Sequence, residues 1–195
     1  MSTQHGGAHL SGRFHFSSRS ARATVSVDAA PAISAKEASI AALRVGTGFI
    51  FLWAFLDKTF GLHYSTASKN AWIHGGSPTK GFLSHVAAGP FQSTFHSWAG
   101  NGFIDWLFML ALLGIGSALI LGIGLRIAAV CGAALVAMMW LAVYPPARYT
   151  SAGTATSSVN PVVDDHVLEA LALTVIAVFG TGSRLGLGAA WGKLP

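Results

Sequence analysis

Four long apolar stretches dominate the chain, at about residues 38–60, 102–124, 127–144 and 162–180. Each is long enough for a helix crossing a hydrocarbon core of ~30 Å. Polar and Gly/Pro-rich sequence separates them, so the pattern predicts an all-α integral membrane four-helix bundle. Ser34-Ala-Lys-Glu37 matches a capping box at the head of the first span. Asn160-Pro161 suits an N-cap and first helical position for the fourth. Only Leu125-Arg126 separates the second and third spans, which predicts a tight antiparallel hairpin. Gly114, Ala118 and Gly122 recur every four residues on one, and Ala129, Ala133 and Ala137 on the other. Small residues at that spacing let helix backbones approach closely in lipid.

Residues 61–101 form a long outer loop between the first and second spans. Loops of that size tend to be functional or to hold short helices. Phe91, Phe95 and Trp98 stand at i, i+4 and i+7, which suits a short helix lying in the membrane interface. Asn101–Asp105 and Asn160–Asp164 form a weak internal repeat, consistent with two hairpins. Residues 1–35 read as a disordered basic cytoplasmic tail carrying Arg13, Arg19 and Arg22. That tail has no hydrophobic h-region, which argues against a cleaved signal peptide. Residues 36–188 then form the transmembrane domain and 189–195 a short cytoplasmic tail.

Composition sharpens the membrane reading. The chain is 52% apolar and 10% charged, against about 25% charged in soluble domains. Its pI near 9.8 reflects 12 Lys and Arg that are scattered rather than striped, so nucleic acid is not the expected partner. The basic tail, Lys36, Arg44, Arg126, Arg184 and Lys193 fall on one side of the predicted spans. Lys58, Lys69, Lys80 and Arg148 fall on the other, and the first set is larger and closer to the spans. Both termini are therefore expected in the cytoplasm of a multi-pass cell-membrane protein. Cys131 is the single cysteine, so the chain has no internal disulfide and no dithiol chemistry of its own.

The chemistry-bearing residues gather near the predicted outer face. Asp164, Asp165, His166 and Glu169 open the fourth span, with Asp165, His166 and Glu169 on one helix face. Glu169 lies beyond the first turn, where a carboxylate needs a partner, a cavity or a proton. Asp57-Lys58 ends the first span, and Arg44 lies deeper on its inner side. Asp105 and Asp164 sit in first turns, where carboxylates ordinarily serve the helix dipole. No paired axial histidines, haem-attachment motif or dinucleotide fingerprint is present, and no HxxxH pair lies within residues 36–188, so haem, flavin and a metal are unsupported. A diffusible membrane quinone is the electron carrier such a chain could use.

Four segments resemble the DoxX/DoxD-like membrane family, in particular its thiosulfate:quinone oxidoreductase large-subunit type. They are LRVGTGFIFLWAFLDKTFG, NAWIHGGSPTKGFL, NGFIDWLFMLALLGIGSALILGIGLRIAAV and NPVVDDHVLEALAL, and the resemblance runs from about Ala38 to Gly188. It implies a four-helix membrane protein linked to quinone reduction, with thiosulfate oxidised to tetrathionate. Arg44, Asp57-Lys58, Asp164, Asp165 and His166 are the matching polar positions. On this reading Glu169, His166 and Asp57 handle protons, while Arg44 and Asp165 hold the quinone. Lys58, Lys80 and Arg148 would attract the dianionic substrate to the outer face. A membrane partner subunit is also expected. The competing expectation is a non-enzymatic scaffold subunit of a respiratory or redox-stress complex, assembled through its small-residue helix faces.

Overall fold

A computed structural model describes residues 32–180, 182 and 184–193 of the chain. Most of the expected N-terminal tail, residues 1–31, lies outside the described residues, as do 194 and 195. The described chain is all-helical: α1 Ala35–Phe60, α2 Lys80–Leu83, α3 Gln92–Trp98, α4 Gly102–Leu121, α5 Leu125–Val143, α6 Asp165–Phe179 and α7 Gly188–Trp191. Helices α1, α4 and α5 are long and apolar enough to cross a membrane.

Local chemistry sets the helix ends. Ser34 and Glu37 form the capping box: the Ser34 hydroxyl accepts from Glu37 N–H, and Glu37 accepts from Ser34 N–H at 2.9 Å. Helix α1 stops at Gly61, which takes a left-handed φ of 65° that glycine adopts without strain. Asn101 caps α4 by accepting from Phe103 and Ile104 N–H.

Two predicted boundaries move. The turn between the second and third spans is Gly122-Ile123-Gly124, not Leu125-Arg126, which begin α5. Gly122 and Gly124 carry φ values of 75° and 55°, so the turn falls where positive φ is cheapest. The fourth helix begins at Asp165, because Asp164 caps it through Val167 N–H. Asn160 instead closes a separate turn on Val162 and Val163 N–H, both at 2.9 Å. The 15 residues of α6 span only about 22 Å, short of a ~30 Å core.

Helix α1 packs along α4 and α5 along α6, with lesser contacts joining α4 to α5 and α1 to α6. Phe51, Met109, Leu112, Ile115, Leu119, Val136, Leu173 and Ile176 fill the space between them. The close approach of α1 and α4 depends on Gly48 and Gly116. A Cβ on Gly116 would sit 2.6 Å from Leu52 N, and one on Gly48 would sit 2.9 Å from Leu119 Cβ. Gly114, on the predicted small-residue stripe, faces open space instead. Large apolar side chains point outward all along the helices, Phe103 and Ile127 among them, each 74% exposed. Such a surface suits lipid rather than water.

The two ends of this assembly differ. One, the turn end, carries the Gly122–Gly124 turn, the start of α1 and the segment around residues 184–188. There Arg184 pairs with Glu37, and Leu187 N–H donates to Leu121 C=O at 2.8 Å. The other, the loop end, carries residues 61–101 and 144–164. The loop expected to carry short interfacial helices holds two short helices, α2 and α3, together with 3-10 turns at Ser68–Asn70 and Trp72–His74. Leu83, Val86, Phe95 and Ala142 give it a small core of its own. Ser151 ties the two loops together, its N–H to Ala87 C=O and its hydroxyl to Gln92.

Candidate functional site

A cavity of about 1310 Å³ opens between α4, α5 and the first loop. Its walls come from single helix faces. Ile104, Leu107, Phe108 and Ala111 line it from α4, and Cys131, Ala134, Leu135, Met138 and Ala142 from α5. Both sets follow the three-and-four spacing of one helical stripe. The seam is open because α4 gives its other face to α1, and α5 gives its other face to α6. Loop residues roof it: Asn70, Ser77, Thr79, Lys80, His85, Phe95 and Trp98, with Lys58 reaching in from the end of α1. The result is an apolar trough with a polar, cationic mouth.

Two buried carboxylates hold the roof. Asp57, 1% exposed, accepts from Tyr64 N–H at 3.2 Å, from Ser65 N–H at 3.0 Å and from the Ser65 hydroxyl at 2.6 Å. Asp105 accepts from the Ser77 hydroxyl at 2.9 Å, and from Thr79 through its N–H at 3.2 Å and its hydroxyl at 2.5 Å. Ser65, Ser77 and Thr79 themselves line the cavity. Each carboxylate therefore fixes part of the roof from the helix beneath it, with charge-assisted bonds that are the stronger kind. Asp105 escaped the sequence reading as a site residue because its partners lie 26 and 28 positions earlier. The cavity walls escaped as well, since α4 and α5 are apolar on every side and no stripe stands out.

The predicted site residues separate into four places. Lys58 and Lys80 line the cavity; Asp57 lies behind it and holds its roof. Asp165, His166 and Glu169 lie along α6 and are not among the cavity-lining residues. His166 Nδ1 lies 2.8 Å from Asp164 Oδ2 and 3.3 Å from Asp165 Oδ1. Asp164, Asp165 and His166 each offer one ligand atom within 4.8 Å of the others, but Asp164 also caps α6 and Asp165 is open to solvent. Glu169 is half-buried one turn deeper, and its carboxylate makes no hydrogen bond among the described residues. Arg148 is exposed in the second loop, its carbonyl accepting from Thr156 N–H at 3.0 Å.

Arg44 stands apart at the turn end. It is 1% exposed, and its Nη2 donates to Leu185 C=O at 2.6 Å. Its Nε and Nη1 have no partner among the described residues. Gly122 and Gly186 make room for the guanidinium: a Cβ on Gly186 would lie 2.8 Å from Nη1, and one on Gly122 closer still. Arg44 thus packs against backbone at the turn end, while Asp57 lies at the opposite end of the same helix. No hydrogen bond or ion pair joins it to Glu169 among the described residues.

Comparison with protein-family models, with curated proteins and with solved structures finds no match.

Proposed function

We propose that this chain is the membrane subunit of a quinone-linked oxidoreductase, and that the cavity between α4 and α5 is its quinone site. The protein sits in the bilayer as a four-helix bundle, α6 included, with both termini cytoplasmic and the loop end outward. The observation that supports this is the cavity itself. A quinone is a flat, hydrogen-bonding ring on a long apolar tail. The trough offers the tail a wall of Leu107, Ala134 and Met138, while Asn70 and Lys80 offer the ring donors at the mouth. Pockets for such ligands combine mostly apolar walls with a few placed polar groups.

The family resemblance supplies the electron donor. Two thiosulfates joined through one new S–S bond release two electrons. With two protons, those electrons convert one quinone to quinol. Lys58 and Lys80 make the mouth attractive to an anionic donor. Asp57 and Asp105 act by holding the roof, and the α6 cluster of His166 and Glu169 offers a separate path for protons.

Cys131 gives a direct test, because it is the single cysteine and lines the cavity. Full-length protein in neutral detergent, with whatever subunits co-purify, is treated with a maleimide in the presence of a short-tail ubiquinone or menaquinone analogue. Slower labelling of Cys131, with thiosulfate-driven reduction of the same analogue, is expected. Unchanged labelling at saturating analogue would remove the quinone from this cavity. Protection without turnover would leave a quinone-binding scaffold.

A further inference from the structure

We infer that the same cavity is built to seat an anionic phospholipid, its phosphate between Lys58 and Lys80 and its acyl chains along α4 and α5. The inference shares the cavity with the proposed function but does not depend on redox chemistry.

Charge at the mouth carries the argument. Lys58 and Lys80 line the cavity and no carboxylate does. Acidic residues stand close by, yet their oxygens are committed elsewhere. Asp57, next to Lys58 in sequence, accepts from Tyr64 and Ser65, and Asp105 accepts from Ser77 and Thr79. Neither lysine forms an ion pair among the described residues, and the hydrogen bond of Lys58 to Ser65 Oγ is long, at 3.5 Å. Asp57 and Asp105 thus spend their charge on loop donors while both cations line the cavity. Lys58 is half-buried beside an Asp57 whose oxygens are bonded to loop donors, and Lys80 is exposed, so both ammonium groups can meet an anion that arrives from outside.

Size and shape identify the anion's other half. At about 1310 Å³ the cavity exceeds the roughly 300–1,000 Å³ that encloses most small ligands. A free oxyanion would fill only the mouth and leave Leu107, Ala134 and Met138 facing empty space. An anion carrying hydrocarbon chains covers both. Basic pockets between transmembrane helices recognise acidic lipid headgroups on this principle.

Cys131 again reports occupancy. Full-length protein in neutral detergent is labelled with a maleimide after adding phosphatidylglycerol, phosphatidylcholine or inorganic phosphate. Phosphatidylglycerol should slow labelling about tenfold at saturation, and the other two should not. Replacing both cations, Lys58→Gln with Lys80→Gln, should raise the half-protecting phosphatidylglycerol concentration roughly tenfold to thirtyfold. Lys58→Arg with Lys80→Arg should restore it, which separates lost charge from a damaged fold. Equal protection by phosphatidylcholine, or unchanged protection in the Gln pair, overturns the inference. So does full protection by phosphate alone, since the chains would then be idle. If the quinone analogue protects Cys131 and phosphatidylglycerol does not, this inference fails while the quinone reading stands; the reverse result removes the quinone and keeps the lipid.

Discussion

Carboxylates occupy two regions of this molecule under contrasting terms. Asp57 and Asp105 are buried where α1 ends and α4 begins; Asp57 holds loop residues 7 and 8 positions ahead, and Asp105 holds loop residues 26 and 28 positions back. Asp164 and Asp165 stand at the head of α6 and satisfy themselves locally, on Val167 N–H and on the His166 ring. The first pair organises tertiary structure; the second finishes one helix. A carboxylate near a membrane helix end is therefore not a functional marker by its residue type alone. What it accepts from decides whether it shapes a site.

Substitution should expose that difference as a graded series. Asp105→Ala removes the acceptor for three donors, among them both polar groups of the buried Thr79, and should cost the most. The expected loss is roughly 3 kcal/mol, read as a fall in unfolding midpoint in detergent. Asp57→Ala strips three donors in a more exposed stretch of loop and should cost about 2 kcal/mol. For both, limited proteolysis should show earlier cutting between residues 62 and 84, and Cys131 should label faster as the roof loosens. Asp164→Ala loses an N-cap and the contact with the His166 ring, together roughly 1–1.5 kcal/mol, with the roof protease-resistant and Cys131 labelling unchanged. Asp165→Ala, at a solvent-exposed position, should stay within about 0.5 kcal/mol of the parent. A reversal of this order, with Asp164 outweighing Asp105, would break the distinction between the two regions.

The small-residue stripes teach a parallel lesson. Spacing alone singled out Gly114, Ala118 and Gly122, yet α4 meets α1 through Gly116, and Gly114 looks outward. On a helix apolar all round, a repeat every four residues exists on several faces at once, and only the position of the neighbouring helix chooses among them. The turn shows the same limit in miniature. Gly122 and Gly124 were visible as glycines, but their role in reversing the chain follows from the positive φ they adopt. Arg44 was legible as a deep charge; its place against Leu185 C=O and the glycines of the turn end was not.

Sequence by itself pointed to four apolar spans, three of which form helices long and apolar enough to cross a bilayer, and it showed that Ser34 and Glu37 cap the first and that a long loop follows it. These are short-range properties: hydropathy, helical period and capping act within a few residues, so a linear reading captures them. Tertiary structure alone decided that the seam between α4 and α5 stays open, that Asp57 and Asp105 hold its roof, and that Lys58 and Lys80 both line it. Those facts depend on which helix faces are already occupied and on bonds between residues far apart in the chain. Uniform hydrophobicity along the strip carries no record of either.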